Sequence, residues 1–284
     1  MPTPAPSHNG AVQLVVTDLD GTLSDAEERI HPSSARAIRA LEAGGIPVLV
    51  ATGRRRRMAA AVLEAGGVAV PAVVLDGALG IDLPNGRVFH RTTFPAEAAR
   101  QVLAAFRDAH LSPCVYVDRP GVDLVVDDHP STHPLHLARG GSWVARGDLA
   151  AVVEAEPVFV FTVVGHPDRG ALEPVLRAIG PAGSASIVHD LIYGGCTLQV
   201  RPPGISKWSG VRAFCADRGL DPARVLAVGD GANDVELLES AAVACAVSTA
   251  APVALARARH VLGPPATGGW AEVLDLVGDL GHRR

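Results

Sequence analysis

Asp18 and Asp20 stand two positions apart at the end of an apolar run, Val12 to Thr17, and are followed by Gly21 and Thr22. In an extended chain, residues two apart face the same way, so both carboxylates can meet one crevice while Leu19 packs behind them. Two acids on one face repel unless a cation or a proton separates them, which implies Mg²⁺, a shared proton, or both. Asp-x-Asp also occurs in surface loops and in metal-dependent glycosyltransferases, so other residues must decide what this pair does.

Three further clusters carry matching chemistry. Thr52-Gly53-Arg54 closes the apolar run Ile46 to Ala51, and offers a hydroxyl and an unobstructed backbone N–H to a phosphate oxygen. Gly229-Asp230-Gly231-Ala232-Asn233-Asp234 follows the apolar run Arg224 to Val228 and adds two carboxylates beside a glycine turn. Of the 25 basic residues, Lys207 alone is a lysine. A compact ammonium differs from a guanidinium fork as a point charge on phosphate, which makes Lys207 a candidate ligand. Arg54 to Arg57 form a basic run, but side chains on a helix diverge by about 100° per residue, so Arg55 to Arg57 read as a solvated face. His129, His133 and His136 are interrupted by Pro130 and Pro134 and lack an accompanying acid or cysteine at ligand spacing, so they read as a surface loop.

The elements that must position these residues alternate. Strands over Val12–Thr17, Ile46–Ala51 and Pro71–Leu75 enclose a helix over His31–Ala43 and a second that follows Thr52-Gly53, carries the arginine run and is completed by Met58–Ala65, which is the opening of a Rossmann-like α/β core with a parallel sheet. From about Leu83 to Cys196 the texture changes to hairpin-like strands with helices near Pro95–Ala109 and Asp168–Ile179, predicting an inserted α+β domain. The α/β texture returns with a helix over Ser206–Arg218, which carries Lys207 in its first turn. The expected organisation is a flexible tail over 1–10, a core over 11–82, an insert over 83–196 and the rest of the core over 197–284.

With 284 residues, 48% of them hydrophobic, the chain can bury a sizeable core. Its formal charge of −5 gives no footprint for nucleic acid, and no apolar run is long enough for a bilayer. Met1 to Pro6 has neither a charged nor an apolar signal region, and the four cysteines lack Cys-x-x-Cys spacing, so a cytoplasmic location with reduced thiols is expected. No signature of an oligomeric state appears.

In their order, Asp18-Leu19-Asp20-Gly21-Thr22, Thr52-Gly53-Arg54, Lys207 and Gly229-Asp230-Gly231-Ala232-Asn233-Asp234 closely resemble the motifs of the haloacid dehalogenase-like superfamily, specifically its Cof-type phosphatases with a type IIB cap. The ordered set is far more specific than any single motif. The resemblance implies that Asp18 is the nucleophile and a Mg²⁺ ligand. Asp20 becomes a general acid/base whose backbone carbonyl also reaches the metal, Asp230 is implied to be the other protein carboxylate on the metal, and Asp234 is implied to ligate it through water or to hold its partners. Thr52, Gly53, Lys207 and Asn233 are implied to hold the phosphoryl group. The implied activity is hydrolysis of a small phosphorylated metabolite, sugar phosphates first, with sugar-alcohol, flavin-precursor and pyridoxal phosphates after them. A phosphomutase of the same fold and a non-catalytic phosphometabolite-binding protein are the alternatives. The chain departs from the family pattern at Asp76, where Asn is usual, at Ser248-Thr249-Ala250, where Gly-Asn-Ala is common, and at Gln199, where Glu is frequent. None of these is expected to touch the catalytic set.

Overall fold

The computed structural model describes residues 12–190 and 192–282. The tail expected over 1–10 lies outside them. The chain divides into two compact units, one formed by residues up to Arg91 and from Ser206 onward, the other by Thr92–Ile205.

The first unit is built on a sheet with eight strands among the described residues. From one edge they are His260–Leu262, Val243–Val247, Val225–Gly229, Leu14–Thr17, Val48–Ala51, Ala72–Val74, Leu79–Asp82 and Arg87–Arg91. Neighbours among the first six pair in parallel, and the last two strands are added by antiparallel pairings, so that only Leu79–Asp82 runs opposite to the rest. The central four, Val225–Gly229, Leu14–Thr17, Val48–Ala51 and Ala72–Val74, are buried at every residue, as expected of near-continuous apolar strands covered by helices on both faces. From Leu14–Thr17 the chain winds outward through Val48–Ala51, then later resumes on the opposite side with Val225–Gly229. The strand order therefore reverses between Leu14–Thr17 and Val225–Gly229, and in open α/β sheets ligands bind beyond the carboxyl ends at such a point. Asp18 and Asp230 directly follow these two strands.

The helix Lys207–Arg218 begins where its sequence dictates. Ser206 and Ser209 form a reciprocal capping box, and Gly219 closes the far end in a left-handed conformation. Gly210 lets this helix approach the sheet so closely that a Cβ there would overlap Val73. That approach carries Lys207, the first helical residue, into the interior.

The second unit contains six strands among the described residues, in the order Ser184–His189, Cys196–Arg201, Val160–His166, Cys114–Arg119, Val122–Val126 and Val144–Arg146. All pairings are antiparallel except the last. Helices Ala96–Asp108, Leu149–Ala155 and Arg169–Ile179 supply Phe106, Val153 and Leu172 to a core that includes Phe161 and Leu198.

This unit starts and ends later than the 83–196 expected. Arg87–Arg91 remains in the first sheet because Gly80 leaves room for the Phe89 ring, which meets Phe214 edge-on at 5.2 Å. Cys196–Arg201 belongs to the second unit because Leu198 and Val200 are buried in its core. His133 accepts from Leu135 N at the start of a helix, Pro134–Gly140, in which proline occupies the first turn it tolerates. His136 lies in that helix, 3.2 Å from the Tyr116 hydroxyl, so neither residue is in a simple loop. The three-acid grouping described below is the only cluster with metal-ligand geometry among the described residues, and it includes no histidine.

Candidate active site

Strand Leu14–Thr17 delivers Asp18 into a buried position, and strand Val225–Gly229 delivers the turn that holds Asp230 and Asp234 beside it. Carboxylate oxygens of Asp18, Asp230 and Asp234 lie within 4.8 Å of one another. Lys207 is 1% exposed, and its Nζ donates to Asp18 Oδ1 at 2.5 Å and to Asp234 Oδ1 at 2.7 Å. The other oxygen of Asp234 accepts from the backbone N–H groups of Asp230 and Gly231 at 3.0 and 2.9 Å. Asp234 thereby fixes the turn and the lysine together.

The backbone is shaped around these acids. Gly21 has φ +75°, and a Cβ there would come 2.5 Å from Asp230 Oδ2. Thr22 Oγ1 donates to Asp230 Oδ1 at 3.1 Å. Behind Asp18, the Trp270 indole N–H donates to Thr17 Oγ1 at 2.8 Å, and that hydroxyl donates to the Asp18 carbonyl at 2.7 Å.

Charge is concentrated against a low-dielectric background. Burial drives the Asp18 carboxyl well above the ordinary carboxylate range, and Asp234, Asp230 and Asp20 push it the same way against the pull of Lys207. Burial, followed by the Asp234 charge, raises Asp230 to about 6. Burial alone would pull the Lys207 ammonium down, but Asp18, Asp234 and Asp76 outweigh it and hold the proton more firmly than usual. The result is a pocket with more carboxylates than local cations can balance. Its donors are all oxygens, without imidazole or thiolate, which fits a hard divalent ion such as Mg²⁺ and disfavours zinc.

Asp20 sits apart from the three-acid grouping. It is paired with Arg54, whose Nε lies 2.9 and 2.7 Å from its two oxygens. Thr52 Oγ1 accepts from Arg54 N at 3.1 Å, and Thr52 O accepts from Asp76 N at 3.0 Å. A Cβ on Gly53 would stand 3.2 Å from both Asp76 carboxylate oxygens, and Asn233 Nδ2 donates to Asp76 Oδ1 at 3.2 Å. Asp76 thus joins Thr52, Gly53 and Asn233 into one group.

Of the departures from the family pattern, Asp76 therefore stands against residues that the resemblance implies hold the phosphoryl group, though it contacts neither Asp18 nor Asp20 in the hydrogen bonds above. Asp76 is 3% exposed and adopts φ +49°, after Leu75 at φ +54°. Aspartate tolerates the left-handed region better than leucine does, so the strain falls on Leu75, and the turn is held by Leu75 N donating to Arg54 O. The signal was available in the sequence, because Asp76 follows an apolar strand at its carboxyl end as Asp18 and Asp230 do. The basic run also differs from its reading. The helix starts only at Arg56, Arg54 precedes it, and Arg55 is 5% exposed rather than solvated.

The haloacid dehalogenase-like hydrolase family matches residues 15–130 and 188–274, more than half of the chain. Over 282 residues the chain is 23% identical to the pyridoxal phosphate phosphatase YbhA of Escherichia coli, covering 92% of this chain and 97% of that one. It shares its fold with BT1666 of Bacteroides thetaiotaomicron, described among the phosphatases of the HAD superfamily, with TM-score 0.79, 21% identity and coverage of 97% and 98%. The subclass IIB sugar phosphatase BT4131 superposes with TM-score 0.73 and 21% identity over 94% of this chain and 99% of that one. The chain also spans about two fifths of the chloroplastic endoribonuclease YBEY of Arabidopsis thaliana, with 24% identity over 256 residues, 84% of this chain and 41% of that protein.

Proposed function

This chain belongs to the haloacid dehalogenase-like hydrolases, and we propose that it is a Mg²⁺-dependent phosphatase that hydrolyses a small phosphorylated metabolite through an aspartyl-phosphate on Asp18. The observation that carries this reading is the buried Lys207 ammonium shared between Asp18 and Asp234, at the carboxyl ends of two adjacent parallel strands. A carboxylate can approach a phosphate dianion only if the negative charge is offset, and Lys207 supplies one such charge inside the site. Mg²⁺, held by Asp18, Asp230, Asp234 and the Asp20 backbone carbonyl, would supply the rest as a Lewis acid on the phosphoryl oxygens.

In this reading Asp18 attacks phosphorus, and the bond to the leaving oxygen breaks as Asp20 gives that oxygen a proton. Asp20 then takes a proton from water as water attacks the phosphorus of the aspartyl-phosphate, which frees Asp18 and inorganic phosphate. The Thr52 hydroxyl, the Gly53 backbone N–H, Lys207 and the Asn233 amide orient the phosphoryl oxygens. The phosphatase names among its relatives and the sugar phosphatase among its fold neighbours support a small phosphate monoester, with sugar phosphates first.

The test is release of inorganic phosphate from a panel of phosphorylated metabolites, run with Mg²⁺ and with excess chelator. Turnover confined to the Mg²⁺ arm supports the proposal. Undiminished turnover in chelator, or no turnover of any phosphate monoester, contradicts it.

A further inference from the structure

We infer that Arg54, anchored by Glu28, is a positioning residue that aims the Asp20 carboxylate for proton transfer; the inference rests on the acid/base role proposed for Asp20. Asp20 follows a strand but belongs to a loop, and its side chain is 43% exposed. Left alone, such a carboxylate would sample several rotamers. Arg54 removes that freedom. Its Nε contacts both Asp20 oxygens, and its Nη2 reaches Asp20 Oδ1 at 2.5 Å. A planar guanidinium that engages both carboxylate oxygens fixes the plane of the acid as well as its position, which a point charge cannot do.

The arginine is itself held at both ends. Its backbone N–H donates to Thr52 Oγ1, its carbonyl accepts from Leu75 N, and its side chain is 11% exposed. Nη2 also donates to Glu28 Oε1 at 3.0 Å. Glu28 adopts φ +62°, a strained conformation for a residue with a Cβ. The turn enforces it: Glu28 N donates to Asp25 O, Asp25 N donates to Arg29 O, and Asp25 Oδ1 accepts from the N–H groups of Glu27 and Arg29. A strained turn thus presents a carboxylate to the same Nη2 that reaches Asp20, so the arginine that grips the proton-transfer acid is itself tethered. The remaining nitrogen, Nη1, is buried with no hydrogen-bond partner. That leaves one rival role, direct capture of a substrate oxygen by Nη1.

The experiment is a double-mutant cycle on the Mg²⁺-loaded enzyme, with Arg54→Ala and Asp20→Asn singly and together, and with p-nitrophenyl phosphate and glycerol phosphate as substrates. If Arg54 acts through Asp20, Arg54→Ala lowers kcat for glycerol phosphate about 10–10²-fold, the usual cost of a misplaced catalytic group, with KM little changed. The loss is smaller for the activated aryl ester, which needs little proton donation, and largely disappears in the Asp20→Asn background. Arg54→Lys does not restore the rate. Glu28→Gln, which leaves the arginine in place, shows a weaker loss with the same leaving-group dependence, and it carries the test if Arg54→Ala does not fold. Equal losses with and without the Asp20 carboxylate overturn the inference. So does a raised KM with unchanged kcat, which would assign Arg54 to phosphate capture. Wild-type turnover by Asp20→Asn alone would instead remove the acid/base reading on which the inference stands.

Discussion

The ammonium of Lys207 stands 2.5 Å from a carboxylate oxygen of Asp18, a residue 189 positions away in the chain. Both are buried, so the pair exists because the fold brings a helix start onto a strand end, and each residue depends on the other. Removing one partner of a buried pair typically costs about 3–5 kcal/mol, because the remaining charge is stranded. Lys207→Met, which keeps the apolar stem, is therefore expected to lower stability by that order and kcat/KM by about 10²–10³-fold or more. Arg56→Ala, on the exposed face of its helix, should change either quantity little. Equal losses in the two variants, read from urea unfolding and steady-state kinetics, would show that the lysine has no special role.

Metal binding should depend on pH through Asp230. Its proton affinity is raised from 3.8 to about 6, so the metal-free folded state retains a proton that the unfolded state has released between these values. Stability of the metal-free protein accordingly falls as pH rises through this window, the reverse of the usual salt-bridged carboxylate. Mg²⁺ must displace that proton. Because the raised Asp18 carboxyl must lose its proton as well, affinity for Mg²⁺ should weaken by at least about tenfold for each pH unit below about 6, and its thermal stabilisation should be greater at about pH 8 than at about pH 5. Calorimetric titration in buffers of different ionisation enthalpy would reveal the proton released, and a pH-independent affinity would count against the Asp230 site.

Asp76 places an acceptor-only carboxylate beside Gly53 and Asn233, the residues proposed to hold a phosphate dianion. Asp76→Asn keeps the shape and removes the charge. It should lower KM for a phosphate ester several-fold, corresponding to relief of a like-charge repulsion on the order of 1 kcal/mol. A raised KM would show instead that the carboxylate is needed to orient the Asn233 amide.

Trp270 and Thr17 make a separate prediction about stability. Thr17→Val leaves the buried indole N–H without its acceptor and should cost about 1–3 kcal/mol in urea unfolding. Adding Trp270→Phe to Thr17→Val removes the orphaned donor, so the double variant should cost less than the sum of the single changes. Strict additivity would mean that the hydrogen bond contributes little.

What the sequence reveals follows from how local each signal is. Asp18 and Asp230 stand out because an apolar strand ending in acids and glycine is a contiguous pattern, and Lys207 because it is the lone lysine. The α/β alternation is legible for the same reason, and it matches the family and fold reported above. That Asp76 stands at the carboxyl end of an apolar strand is legible, but its approach to Gly53 and Asn233 is not, because it depends on left-handed Leu75 and Asp76 turning the side chain back toward residues distant in the chain. The Arg54–Asp20 pair joins loops 34 residues apart, and its geometry depends on a second carboxylate, that of Glu28, on a strained turn. The border near Arg91 depends on Phe89 filling the space over Gly80, a cross-strand fit invisible in a linear pattern.

The central claim is that Asp18 carries the phosphoryl group. Its most direct test is rapid acid quench of the Asp20→Asn variant with Mg²⁺ and a radiolabelled activated aryl phosphate, followed by peptide mapping. Without a base to activate water, the variant should accumulate about one acid-stable, hydroxylamine-labile phosphate per chain on the peptide containing Asp18, after a burst of one product per enzyme, with later turnover slowed about 10²–10⁴-fold. Asp18→Asn should show neither burst nor label. Label on any other residue, or steady wild-type turnover of the Asp20→Asn variant without label, would contradict the account.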